Sequence, residues 1–181
     1  MNLAFRFLLS SVTTQTPLQH VVYPFAHWFS HQRSIVTQFR SVSFPDILPR
    51  VSDSFKLLED DFLNLERPVE HPSNDGSTGY DFIVTLFFID TSLNIISTLE
   101  QIHRLLRPGG LWINLGPLLW IGGSQASLEL SLDEVFCLVH KIGFIIDPQS
   151  RKSVDCEYTS DKEALMKWVY KAEFWVATKC S

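Results

Sequence analysis

Residues 80–120 read YDFIVTLFFIDTSLNIISTLEQIHRLLRPGGLWINLGPLLW, and the fold follows from how this stretch is punctuated. Tyr80–Ile89 is an almost unbroken apolar run, too short for a core helix and preceded by the polar segment SNDGSTG. Such a run predicts a strand buried on both faces of a parallel sheet. Asp90-Thr91 ends it. From Ser92 the apolar residues fall at Leu93, Ile96, Leu99, Ile102, Leu105 and Leu106, which is helical spacing. Arg104 and Arg107 suit the carbonyl end of that helix, and Pro108-Gly109-Gly110 is expected to cap it. Leu111–Leu115 resumes as a second strand, closed by Gly116-Pro117. Strand, crossover helix and strand make a βαβ unit whose functional edge lies at the strand carboxyl ends, where Asp90 and 114–117 fall.

The totals bound the class. The 181 residues allow one domain or a large piece of one, and 45% hydrophobic with 19% charged residues fits a globular chain. A formal charge of −5 offers no basic footprint, so nucleic acid is not an expected partner. No apolar run is long enough to span a bilayer, so no membrane is expected either. The start, MNLAFRFLLSSVTTQ, has a short apolar stretch like that of a signal or transit peptide. It lacks a basic lead-in and a small-residue cleavage site, and reads better as an amphipathic helix over 1–11 with Leu3, Phe7 and Leu8 on one face. Cys137, Cys156 and Cys180 are odd in number and widely spaced, which points to a reducing compartment, cytoplasm or nucleus, and to no disulfide framework.

His27 and His31 stand four apart in an aromatic-rich segment, a spacing that on a helix would put both toward one metal. No glutamate lies between them in an HExxH arrangement and no third ligand is near, so no metal is expected. Pro45 and Pro49 make 33–53 irregular, and 54–58 is read as a short strand leading into Glu59-Asp60-Asp61-Phe62. The polar segment 71–79 is read as a flexible loop, and Gly122-Gly123 as a hinge. Ser131-Leu132-Asp133-Glu134 has the form of a capping box and opens a helix to Gly143. Residues 144–147 are read as a short strand, 158–167 as containing a turn of helix, and 170–178 as a last strand.

An acidic residue closing a strand, then a helix ending in LRPGG and another strand, resembles the fourth and fifth strands of class I S-adenosylmethionine (SAM) methyltransferases. The longer string FFIDT…LRPGGLWINLGPLLW is more particular and resembles the carnosine N-methyltransferase (N2227-like) family. YPFAHWFS, SFPDILP, EDDF and LMKWVYKAEFWV match other parts of that family in the same order, so the resemblance covers almost the whole chain. It implies a Rossmann-like α/β sheet of strand order 3-2-1-4-5-7-6 with antiparallel strands at its C-terminal edge. It implies SAM as cofactor and carnosine or a related small peptide-like amine as substrate. Family positions carry over to Asp61 and Phe62 as adenine contacts and to Asp90 and Tyr170 as substrate contacts. Each has a plainer alternative: a solvated acidic turn with one buried Phe, a helix cap at Asp90, and a strand aromatic at Tyr170. A third substrate position, histidine in the family, is occupied by Ile121, which forms no side-chain hydrogen bond.

The sequence holds no G-x-G-x-G turn of the kind that brings backbone close to the cofactor. The expectation is therefore residues 1–181 as a partial methyltransferase domain, an incomplete sheet lacking the first two strands. A homo-oligomer or a separate N-terminal half would be its partner, and the chain alone would bind SAM weakly or not at all. The alternative is a non-catalytic remnant or interaction module that has kept the back half of the fold.

Overall fold

The structure is a computed structural model of the chain and describes residues 2–53, 55–68, 78–120, 128–158 and 161–180. It divides into two compact units, 60–158 with 169–181 and 1–59 with 159–168.

The larger unit is built on the βαβ stretch. Strand β3 (Tyr80–Leu86) and strand β4 (Leu106–Gly116) pair in parallel, with Ile83 opposite Trp112 and Thr85 opposite Asn114. The crossover is helix α3 (Ile95–Leu105), started by Asn94, whose side chain accepts from the N–H groups of Ile96 and Ser97. Its apolar stripe of Ile95, Leu99 and Ile102 is fully buried. Two expected boundaries move. The first strand stops at Leu86 instead of Ile89, because Phe87 turns to a φ of 49° and gives its N–H to the Leu115 carbonyl. Nor does Pro-Gly-Gly cap the helix. Leu106 is already extended, and 106–110 form the irregular start of β4, where its extra residues shift the register between Tyr80 and Phe82 of β3. Pro108 disfavours the helical conformation at the residue before it, so the helix ends upstream. The glycine requirement at this corner falls on Gly79, where a Cβ would sit 2.6 Å from the Arg107 nitrogen.

Helix α4 (Leu132–Ile142) carries the expected capping box, with Ser131 and Glu134 satisfying each other's backbone, and ends at Gly143 in the left-handed region. Strand β5 (Phe144–Ile146) follows, then β6 (Lys152–Glu157), which the sequence reading missed, and β7 (Val169–Lys179). β7 runs antiparallel between β4 and β5, giving the order β3-β4-β7-β5, and β6 pairs with the first half of β7. This is the expected succession of strands four, five, seven and six.

The two sheet faces differ. One buries Trp112, Trp175, Ala177 and Ile146 under α3 and α4, with Trp112 and Trp175 edge to face at 5.6 Å. Burying side chains of this size contributes on the order of 1.5–3 kcal/mol each, and the ring geometry about 1 kcal/mol more. On the other face Phe82, Val84 and Leu86 are 62%, 67% and 64% exposed. The outer edge of β3 has no strand partner among the described residues.

The smaller unit contains helix α1 (Asn2–Leu9), a two-stranded antiparallel ribbon of β1 (His20–Val22) and β2 (Val42–Phe44), and the short helix α2 (Ile35–Gln38). Its described buried residues are polar: Thr14, Gln38 and Asp161. Asp161 pairs with Arg40, whose guanidinium also lies 3.7 Å from the centre of the Phe25 ring. The strand expected over 54–58 is absent at 55–58. Phe55 sits instead against Phe5, and its N–H closes a turn on the Ser52 carbonyl, so no ladder forms. No helix occurs over 161–167, where turns replace the expected one. His27 and His31 lie in turns, His31 at a φ of 65°, and share no helical face. The expected loop at 71–77 and hinge at Gly122-Gly123 lie outside the described residues.

Candidate functional site

The chemistry collects where β3 and β4 end. Phe87 leaves β3 in the left-handed region, uncommon for a bulky side chain and held there by the 2.8 Å bond from its N–H to the Leu115 carbonyl. Gly116 allows the approach: a Cβ there would sit 3.2 Å from the Phe87 Cα. The kink delivers the next residues into a single 3₁₀ turn, Ile89–Thr91. Ile89 turns into the core, and Asp90 is buried at 6% exposure.

Asp90 does not cap the crossover helix, a role taken by Asn94. Its Oδ2 accepts the backbone N–H of Leu119, in the segment after β4, at 3.0 Å. Burial pushes the carboxyl above its ordinary range, opposed by the Leu119 and Asp90 backbone N–H groups that favour the charged form. A raised carboxyl at a strand carboxyl end is the kind of perturbed group that marks functional sites.

Rings surround this edge. Phe87 meets Tyr170 edge to face at 5.7 Å, and Tyr170 meets Tyr158 at 5.8 Å. Tyr170 reaches this position because β7 pairs with β6, which sets it opposite Cys156. On the other side Phe62 lies edge to face with Phe88 at 5.1 Å. Phe62 belongs to a 3₁₀ turn, Phe62–Asn64, capped by the exposed Asp61, whose Oδ1 accepts from the Leu63 N–H at 3.0 Å.

Beneath the edge, Trp112 Nε1 donates to Thr85 Oγ1 at 2.8 Å, and Thr85 Oγ1 donates to Asn114 Oδ1 at 2.8 Å. These buried bonds join β3 to β4 and hold the register that sets where Phe87 and Asp90 emerge.

Of the four residues expected at the site, Phe62 meets Phe88 and Tyr170 meets Phe87, while Asp90 accepts from the Leu119 N–H and Asp61 caps its own turn. The sequence reading did not single out Phe87 or Tyr158, both of which are in ring contact with Tyr170. The doubled phenylalanine before Ile89-Asp90 is a signal for the first, masked by the apolar run that continues through it to Ile89. Ile121 lies outside the described residues.

The sequence profile described as carnosine N-methyltransferase matches residues 1–181. The carnosine N-methyltransferase of Schizosaccharomyces pombe is 32% identical over 97% of this chain and 49% of its own length. That of Mus musculus is 33% identical over 89% of this chain and 40% of its own. The chain thus spans half or less of the length of these curated relatives. Among solved structures, a chain from the complex of the Haloferax volcanii Trm112 methyltransferase activator with a methyltransferase superposes at a TM-score of 0.50. It is 16% identical, with 73% of this chain and 65% of that one covered. Together with the strand order this likeness gives the Rossmann-like class I methyltransferase fold, and the match along its whole length shows that the chain belongs to the carnosine N-methyltransferase family.

Proposed function

We propose that this chain forms the substrate-facing edge of a SAM-dependent N-methyltransferase acting on carnosine or a related small peptide-like amine. The observation that carries the reading is a buried carboxylate, Asp90, just past the end of β3, where Phe87 begins a chain of edge-to-face rings that runs through Tyr170 to Tyr158. An amine or imidazole nitrogen attacks only through a neutral lone pair. Asp90 accepts the N–H on the opposite side of an imidazole, which selects the tautomer whose lone pair faces away from it. Its raised proton affinity suits it to take up the proton as the ring becomes cationic. A ring face of this cluster against the heterocycle stabilises its growing positive charge. Holding the nitrogen in line is most of the catalytic task.

Bound SAM supplies the methyl group as a sulfonium electrophile. The exposed carboxylate of Asp61 and the half-buried ring of Phe62 fit the adenine end of that molecule, the first accepting from an exocyclic amine and the second covering a base face. Titration of carnosine into isotope-labelled chain tests the reading. Shifts centred on Phe87, Asp90, Leu119 and Tyr170, and absent with β-alanyl-alanine, are expected. An equal response to both dipeptides would overturn it.

A further inference from the structure

We infer that Gln101 is a positioning residue for the turn that carries Asp61 and Phe62, and so for the adenine end of the site, an inference that rests on the adenine reading just given. Gln101 lies in the middle of α3 and is 5% exposed. Its Nε2 donates to the carbonyls of Phe62 and Leu65, each at 2.9 Å, the two residues that open the short 3₁₀ turn and follow it. Its Oε1 accepts from Arg104 Nε at 2.8 Å, and the same guanidinium donates to the Leu65 carbonyl at 2.5 Å.

Every polar atom of this amide is therefore engaged, and both donors serve one turn. Of the other buried side chains of α3, Ile95, Leu99, Ile102 and Leu105 are apolar, and Thr98 meets its hydroxyl on that of Ser92. An apolar residue at 101 would fill space equally well and favour the helix as much. A buried amide is tolerated only where its hydrogen bonds are met, and here the turn meets them. Beside the clamp is an open groove of about 260 Å³ lined by Leu63, Ser97, Glu100, Gln101 and Arg104. On that side the hydrogen bonds hold the turn, while on the other the Phe62 ring packs against the core. These bonds fix the backbone of Phe62, whose ring then stands at 76° to Phe88.

The test is nuclear Overhauser spectroscopy on the full chain and on Gln101→Met, with adenosine as the titrated probe. The variant keeps length and helix propensity but donates nothing. It is expected to retain the Trp112–Phe144 ring contact of the core, lose the Phe62–Phe88 contact, and bind adenosine at least tenfold more weakly. Gln101→Glu, which also lacks the donors, serves if the methionine variant does not fold. Unchanged Phe62–Phe88 contacts and unchanged adenosine affinity would overturn the inference. If the unaltered chain does not bind adenosine, the adenine reading fails, while the ring contact still decides whether Gln101 sets the turn.

Discussion

The carboxylate of Asp90 receives the backbone N–H of Leu119 at 3.0 Å, so the loop that closes β3 and the segment that follows β4 share one buried acidic group. The bond partly offsets the burial of a charge without cancelling it, since the carboxyl still lies above its ordinary range.

Asp90→Asn keeps an acceptor for Leu119 and removes the charge. The folded pKa of Asp90 lies above the unfolded one, so the stability linked to this group is complete at acid pH and is lost as pH rises through the folded value. The variant is therefore expected to melt at or above the temperature of the unaltered chain at pH 7. The difference should shrink as pH falls toward the ordinary carboxylate range, and carnosine-induced shifts should disappear. Melting curves between pH 4 and 8 check the sign, and a variant clearly less stable at pH 7 would contradict it.

Val84 and Thr85 are neighbours on β3 with opposite surroundings, one 67% exposed on the open sheet face and the other buried between Trp112 and Asn114. Val84→Thr is expected to change stability by no more than about 0.5 kcal/mol. Thr85→Val leaves Trp112 Nε1 without its acceptor and Asn114 Oδ1 without its donor, and should cost about 2–4 kcal/mol in urea unfolding. Equal effects at the two positions would mean that the sheet faces have been misassigned.

Much of this was legible from the sequence because the signals were local. The helix stripe of Leu99 and Ile102, the Ser131–Glu134 box and the Gly143 stop each depend on residues within a few positions of one another. What escaped depended on distant partners. Nothing local distinguishes Phe87 from the apolar run before it. Its turn is fixed by the Leu115 carbonyl and the room beside Gly116. β6 reads as polar because only its pairing with β7 makes it a strand. The segment 55–58 failed the other way, having strand composition and no ladder to join.

Lys179 closes the carbonyl end of α3, its Nζ donating to the carbonyls of His103 and Leu106 at 2.7 Å each from a site only 8% exposed. Burial, with the Arg67 charge adding to it, pushes its ammonium below the ordinary lysine range. Removing the charge relieves that penalty, but leaves two carbonyls without their donor. The second effect is the larger, and Lys179→Met is expected to lower stability by about 2 kcal/mol. Urea titration measures it, and a neutral result would show that water caps the helix equally well.

Tyr170 allows the ring and the hydroxyl to be separated. If the substrate is held by flat faces, Tyr170→Phe keeps the 5.7 Å contact with Phe87 and the 5.8 Å contact with Tyr158, and should bind carnosine within about twofold of the unaltered chain. Tyr170→Ala removes the middle of the three rings and should weaken binding by about tenfold or more, as expected for a lost aromatic contact of about 1–2 kcal/mol. If the hydroxyl instead makes the essential contact, both variants lose binding together, because a buried donor or acceptor on the substrate is then left unmatched. Calorimetric titration of the two variants side by side distinguishes the cases. Unchanged affinity in Tyr170→Ala would remove Tyr170 from the site and leave Asp90 and Phe87 as its remaining support.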